Sequence, residues 1–253
     1  MQILRLIQLN ILSSEKRRSR LNINDLVLLY DDKKEKFGPD AYKHISELLN
    51  EAKEIHKQDW LKKPTSANDH EQSWRAFKGK NLEKLIQYII EDEVEDIGLK
   101  VINGNSLERK TNLPTDLDQV KRNLAIDYGE FGLHLPDVDI IIYDPKNYKV
   151  LAVISSKVTL RERIAQTAYW KLKLYQSGIT KHIKVYFVTP DEDGTLTHRL
   201  PSKKGRAIVE SDLDGSYVLT EERIEESKKV KLFEHFIDDL KELLNNGNYQ
   251  AKI

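Results

Sequence analysis

The sequence predicts an α/β protein in which a mixed β-sheet is flanked by helices. Three patterns carry this prediction. Residues 82–90 place Leu and Ile at helical spacing, two β-rich runs at 138–143 and 149–156 flank the turn sequence DPKNYK, and another apolar run follows at 183–190. Apolar runs on both sides of an Asp-Pro-Asn turn are typical of an antiparallel hairpin. The predicted order of the core is therefore helix, strand, hairpin, helix, strand (αβββαβ).

The N-terminal quarter of the chain is predicted to be helical and polar. Residues 38–58 place apolar side chains at helical spacing after Pro39. The segment 62–73 is rich in Lys, Pro, Ser, Asn and Asp, which is typical of a linker or loop. We therefore expect an N-terminal helical region over residues 1–70 and a main domain over residues 71–253.

The remaining elements follow from the same rules. The long helix after the linker is expected to end at Gly98, because glycine accepts the backbone conformation found just past helix ends. The polar segment 104–135 is predicted to be irregular and partly helical. Further expected elements are a strand at 99–103, a helix over about 160–176, and an acidic, amphipathic terminal helix over 221–246.

Composition excludes several classes of site. The chain has no cysteine, so disulfides, thiolate metal sites and cysteine nucleophiles are excluded. The first 20 residues are apolar and then basic, whereas a secretory signal has its basic residues first. No run approaches the roughly 18 apolar residues of a membrane span. We expect a cytoplasmic protein without a membrane segment.

The charge is balanced over the whole chain but not along it. The formal net charge is zero, yet residues 154–206 carry 11 Lys and Arg against 4 acidic residues, and residues 207–245 carry 5 against 11. Such an asymmetry can mark one phosphate-facing surface. Two solvated faces of opposite sign would give the same count, so the charge pattern alone does not decide.

Four polar side chains lie at the ends of the predicted hairpin strands. Asp137 and Asp139 precede the first strand, and Ser155 and Lys157 end the second. Because side chains alternate on a strand, each pair shares a face, and antiparallel pairing sets Asp139 near Ser155 with Lys157 close by. Taken singly, such residues are usually turn residues or solvated strand ends. Their convergence across one hairpin favours a functional site.

These residues also resemble a known family signature. The segment PDVD, followed 16 residues after Asp139 by SSK, resembles the PD-(D/E)XK nucleases, specifically type II restriction endonucleases, with serine where many members carry an acid. The longer SSKVTLRER resembles the subgroup that cuts CCGG, CCNGG or CCWGG sites, in a branch similar to BsaWI and EcoRII. The resemblance covers about residues 74–190 and implies a PD-(D/E)XK core.

In this subgroup the missing acid is commonly supplied from elsewhere, often by the helix before the first core strand. Here that helix resembles FKGKNLEKLIQYII, with Glu83 as the candidate acid. Other members place an acid 13 or 14 residues after the lysine, but this chain has Trp170 and Lys171 there. The alternative for Glu83 is an ordinary surface glutamate that pairs with Gln87.

The resemblance implies hydrolysis of DNA with a divalent ion. Oxygen ligands without cysteine suggest Mg²⁺, which prefers one or two carboxylates together with waters and substrate phosphate. The implied ligands are Asp139, Asp137 and Glu83, and the sequence does not separate the two aspartates. Lys157 would position or help deprotonate the attacking water, and Ser155 could hydrogen-bond a metal-bound water.

The Arg-Glu-Arg element is expected to read bases. A guanidinium matches O6 and N7 of guanine, so Arg161 and Arg163 are candidate guanine readers, and Glu162 can accept a hydrogen bond from cytosine N4. The alternative is a solvated helix start. Two arginines at a positively polarised helix N-terminus would be mildly unfavourable there, which favours the functional interpretation.

The sequence therefore predicts a Mg²⁺-dependent type II site-specific deoxyribonuclease that cuts double-stranded DNA at a short palindrome containing CC/GG. Because such a site is two-fold symmetric, a homodimer is expected, with assembly beyond the dimer left open. Residues 1–70 would serve dimerisation or clamp DNA. The alternatives are another PD-(D/E)XK nuclease, for repair or junction resolution, and a non-catalytic DNA-binding protein on this fold.

Overall fold

The computed structural model describes residues 20–64, 69–109, 112–158 and 163–245, and these form an α/β fold with the predicted core order. The helices before the first strand are α1 (Ile23–Phe37), a 3-10 helix (Gly38–His44), α2 (Ile45–Lys62) and α3 (His70–Asp96). Gly98 follows α3 with a φ of +83°, in the left-handed region that glycine adopts without strain. The expected end of the long helix is therefore confirmed.

Within the described residues, eight strands form two sheets. They are β1 (Lys100–Asn103), β2 (Ile126–Asp127), β3 (Leu133–His134), β4 (Ile140–Tyr143), β5 (Val150–Ser156), β6 (Lys184–Thr189), β7 (Gly215–Val218) and β8 (Val230–Leu232). The main sheet has the spatial order β1-β4-β5-β6-β7-β8, and β2 pairs with β3 separately. Strands β1, β4 and β5 pair antiparallel, whereas β5 to β8 run parallel. The sheet is mixed, as predicted.

Helices cover both faces of this sheet. Those after β1 are α4 (Gly104–Arg109), α5 (Thr115–Leu124), α6 (Arg163–Tyr175), α7 (Lys204–Asp212) and α8 (Phe236–Asn245). On the central strand β5, Ile154 packs into the cluster shared with α1, α2, α3 and α8, while Val153 packs into the cluster shared with α5, α6 and α7. Every residue of β5 is buried, as expected for a strand covered on both faces.

The C-terminal part differs from the sequence prediction. The helix expected over 221–246 begins only at Phe236, because Val230–Leu232 instead pairs with β7 as the edge strand of the sheet. Strand β7 was not predicted from the sequence. With β8 it extends the sheet past the predicted core. Strands of four and three residues are too short for their sequence pattern to be distinguished from that of a loop.

The N-terminal helices share their core with the rest of the chain. Leu26 of α1 and Leu48 of α2 lie in the same apolar cluster as Ile86 of α3 and Ile154 of β5. The division at residue 70, and the role of residues 1–70 in dimerisation or DNA clamping, stay predictions. Within the described ranges, no helix combines the length and apolarity needed to cross a membrane.

Gly104 holds strand β1 against the start of β4. Its N–H donates to the carbonyl oxygen of Asp139 at 2.9 Å, and a Cβ at this position would overlap the carbonyl oxygen of Val138. A side chain here would force the two backbones apart. The glycine therefore allows the close approach that positions Asp139.

We predict that Gly104→Ala lowers the free energy of unfolding by about 1–3 kcal/mol, the usual cost of overpacking, in urea titrations monitored by circular dichroism. The matched control is Gly79→Ala on the exposed face of α3, where nothing lies within 4 Å of an added Cβ. That control should gain about 0.5–1 kcal/mol through helix propensity. Equal stability of Gly104→Ala and the wild type would contradict the close approach.

Candidate active site

Asp139 lies at the start of β4 with its backbone held from both neighbouring strands. Its N–H donates to the carbonyl oxygen of Ile154 at 3.0 Å, and its own carbonyl oxygen accepts from Gly104. Pairing of Ile140 with Ile154 places Asp139 opposite Ser155, which is the register expected from the hairpin. The side chain is only 6% exposed, so a carboxylate is buried at the end of the sheet.

Two donors from the end of β5 compensate this buried charge. Lys157 Nζ lies 3.0 and 2.9 Å from the two carboxylate oxygens of Asp139, and the N–H of Ser156 donates to Oδ2 at 2.7 Å. A buried carboxylate needs such partners, because burying it alone would cost several kcal/mol. The end of β5 therefore fixes the position of the Asp139 side chain.

Glu83 reaches the same place from α3. Its side chain is buried, and its Oε1 accepts long hydrogen bonds of 3.5 Å from the amides of Asn103 and Asn105. Burial, together with the adjacent Asp139 carboxyl group, raises the pKa of Glu83 to about 7. Asn103 and Lys157 oppose that shift. Glu83 is therefore a buried carboxyl group beside Asp139 and is not exposed on the surface of α3.

Asp137 and Ser155 lie in a small pocket next to this cluster. The pocket is lined by Asp137, Asp139, Ser155, Lys157, Arg163, Gln166 and Thr167. Asp137 is exposed and accepts a hydrogen bond from Gln166 Nε2 at 2.8 Å, whereas Ser155 is buried. The two aspartates therefore have different surroundings, although both lie on the α6 side of the sheet.

Of the three predicted base readers, Arg163 lies within the residues that the structure describes. It is the exposed first residue of α6, lines the pocket, and donates from Nη1 to Gln166 Oε1 at 3.1 Å. Arg161 and Glu162 lie outside the described residues. The predicted catalytic and metal-binding set, in contrast, converges at one end of the sheet.

Sequence reasoning did not identify three polar residues that complete this site. Asn103 and Asn105 donate to Glu83, and Gln166 bonds both Asp137 and Arg163. Asn103 ends β1 and Asn105 lies in α4, and nothing in the sequence pattern indicates their contact with α3. Gln166 lies three residues after Arg163 on a helix, so helical spacing alone could have indicated that contact.

The donor set fits a divalent cation. Two carboxyl groups, Glu83 and Asp139, lie side by side, and the pKa of Glu83 is raised by its burial and then by the adjacent Asp139, so a positive charge between them would favour the ionised form of Glu83. A Mg²⁺ ion bound by these oxygens would supply that charge. Lys157 provides an ammonium group beside them.

The known proteins that this chain matches are restriction enzymes. A family model described as BsaWI restriction endonuclease type 2 matches residues 116–239. The putative type II restriction enzyme MjaVIP of Methanocaldococcus jannaschii is 40% identical over 213 residues, which cover 79% of this chain and 93% of the relative. The probable type II restriction enzyme HpyAORF263P of Helicobacter pylori is 35% identical over 169 residues, covering 64% and 86%.

A solved structure has the same fold. The restriction endonuclease PspGI, in complex with its substrate DNA, superposes with a TM-score of 0.51 at 18% identity, over 87% of this chain and 93% of PspGI. This likeness confirms the predicted fold class.

The raised pKa of Glu83 predicts a pH-dependent stability. Between pH 4.5 and about 7, Glu83 is protonated in the folded protein but ionised in the unfolded chain, so folding takes up a proton. In EDTA, the free energy of unfolding of the wild type should therefore fall relative to Glu83→Gln as pH rises through this window, and the difference should level off above it. Urea titrations from pH 4.5 to 8 measure both.

Glu91→Gln on the same helix is the matched control, and its pH profile should parallel that of the wild type. If the difference between the wild type and Glu83→Gln does not change with pH, the carboxyl group of Glu83 does not face Asp139 in the folded protein.

Proposed function

The chain belongs to the type II restriction endonucleases, and from this membership we propose that it hydrolyses double-stranded DNA with Mg²⁺ at a short palindrome containing CC/GG. The observation that carries the proposal is the ion pair between the buried Asp139 and the partly buried Lys157, beside the carboxyl group of Glu83. Two carboxyl groups can hold a metal ion that activates water, and an adjacent ammonium group can offset negative charge at the phosphate.

Asp139 is the better candidate for the main metal ligand of the two aspartates. It is buried, its backbone is held on both sides, and it shares its surroundings with Glu83. Asp137 is exposed and bonded to Gln166, which suits a weaker or outer contact with the metal. These differences support Asp139 and Glu83 as primary ligands, with Asp137 as a further one.

The bound ion would polarise the phosphate and lower the pKa of an attacking water. Lys157 already contacts both Asp139 oxygens, so its ammonium group lies where it can orient that water and offset negative charge at the scissile phosphate. Ser155, in the same pocket, has a hydroxyl group that can hydrogen-bond a water.

We assign base reading to Arg161, Glu162 and Arg163, the last of which is the first residue of α6. Arg163 is exposed beside the pocket, which supports a role at the DNA surface. Arg161 and Glu162 are included because the sequence motif includes them. Two guanidinium groups and one carboxylate supply donors for guanine and an acceptor for cytosine, in keeping with a CC/GG site.

Cleavage of both strands of a palindrome calls for two active sites related by two-fold symmetry. We therefore propose that the chain acts as a homodimer on its DNA, with further assembly left open. PspGI, which shares this fold, was solved in complex with its substrate DNA, and this supports DNA as the partner proposed for this chain. Since DNA is the substrate, the cytoplasm is the expected compartment.

The first experiment is cleavage of phage DNA by the purified protein with Mg²⁺ or EDTA, followed by sequencing of the ends. We expect discrete fragments with Mg²⁺ only, and Lys157→Ala should lower the cleavage rate by about 10²–10⁴-fold, the range for losing one such group. Lys241→Ala, on the terminal helix, is the matched control and should cut at the wild-type rate.

The other outcomes separate the rival functions. Mg²⁺-dependent nicking without a common end sequence would favour a repair or junction-resolving nuclease. Tight DNA binding without any cleavage would favour a non-catalytic DNA-binding protein.

A second prediction concerns sequence choice. Once the site is mapped, Arg163→Ala should reduce discrimination against a substituted G·C pair by about 10–100-fold, corresponding to the roughly 1–3 kcal/mol of one bidentate base contact. Arg122→Ala, an exposed arginine of α5, is the control and should keep the wild-type preference. If Arg163→Ala slows cleavage equally at all sequences, Arg163 contacts phosphate and not a base.

A further inference from the structure

Gln166 connects the acidic edge of the pocket to the arginine at its rim. Its Nε2 donates to Asp137 Oδ2 at 2.8 Å, and its Oε1 accepts from Arg163 Nη1 at 3.1 Å. Among the described residues, no ion pair joins Asp137 and Arg163 directly, so the amide of Gln166 is the link between them. We infer that Gln166 is a positioning residue that couples base reading by Arg163 to the placement of Asp137, an inference that rests on the function proposed above.

The chemistry of the amide makes this link directional. A carboxylate only accepts hydrogen bonds and a guanidinium only donates them, so the group between them must donate on one side and accept on the other. Glutamine does both with one planar group, and the two partners fix which end is nitrogen. Neither Glu nor Lys at position 166 could satisfy both neighbours.

The base of the link is anchored. Ile164 is buried, and Thr167 Oγ1 donates to the carbonyl oxygen of Arg163 at 3.0 Å, which holds the first turn of α6. Gln166 and Arg163 are three residues apart, so they lie on the same face of that turn. The movable part is therefore the side chain of Arg163. Its bond to Gln166 uses one of the five N–H donors of the guanidinium group, so the others stay available for a base.

This arrangement transmits the fit of a base to the catalytic end of the sheet. When Arg163 binds its guanine, its guanidinium group stays in the position from which it donates to Gln166. Gln166 then keeps its own bond to the Asp137 carboxylate, which stays beside the pocket. A wrong base leaves Arg163 free to move, and the hold on Asp137 weakens with it. Discrimination would then act on the cleavage step as well as on binding.

The test uses the mapped site and duplexes that each carry one substituted base pair. Single-turnover cleavage rates with Mg²⁺ and binding affinities in EDTA are measured for the wild type, Gln166→Met, Arg163→Ala and the double variant. The matched control is Gln176→Met, an exposed glutamine just past the end of α6. Thermal unfolding of every variant reports on the fold.

We expect Gln166→Met to lower the ratio of cleavage rates at the mapped site over the substituted G·C site at least tenfold, while affinity for the mapped site changes less than threefold. In the Arg163→Ala background the same substitution should change that ratio less than threefold, because the link is already broken. Gln166→Glu and Gln166→Lys, which each keep one of the two bonds, should resemble Gln166→Met. Gln176→Met should match the wild type.

Three results would each overturn the coupling role. They are additive effects of Gln166→Met and Arg163→Ala, an equal slowing of cleavage by Gln166→Met at all sequences, and a wild-type ratio of cleavage rates in Gln166→Met. If the wild type cuts and Arg163→Ala relaxes its site preference, any such result counts against Gln166 alone. If the wild type does not cut, the proposed function is wrong, and the coupling fails with it. If Arg163→Ala leaves the site preference intact, Arg163 does not read a base, and the coupling fails for that reason.

Discussion

The contact on which the site depends is the ion pair between the buried Asp139 and the partly buried Lys157. A carboxylate at the end of a sheet that is covered on both faces would be too costly to bury alone. The ammonium group of Lys157 and the N–H of Ser156 compensate the loss of solvation of this carboxylate, and both come from the end of β5. The strand that lies at the centre of the fold thus also positions the charged groups of the site.

The position of that pair follows from strand register. Ile140 pairs with Ile154, and from this pairing Asp139 and Ser155 lie opposite each other on the α6 side of the sheet. A slip of one residue would turn the aspartate to the other face, where α1, α2 and α3 pack. Because β4 and β5 are buried on both faces, their apolar residues alone do not fix this register. It depends on the turn between the strands and on the bonds that hold Asp139 at their end.

Around this pair, the fold brings together groups that repel one another. Glu83 comes from α3 on one side of the sheet, and its carboxyl group lies next to that of Asp139. Asn103 and Lys157 partly offset the repulsion, but the pKa of Glu83 remains raised. A protein keeps such an arrangement at a cost in stability, and binding of a cation is a physical reason for it.

The sequence by itself determined the core order, the hairpin and the approach of Asp139 to Ser155, because these follow from helical spacing, from apolar runs of strand length and from local turn chemistry. It also indicated Asp139, Ser155, Lys157 and Glu83, the first three through a short motif within one hairpin. Tertiary structure alone decided which aspartate pairs with Lys157, because Asp137 and Asp139 have the same parity along the strand. It also decided the amide contacts of Glu83 and the addition of β7 and β8, since these depend on packing between segments far apart in the chain, and no local pattern records such packing.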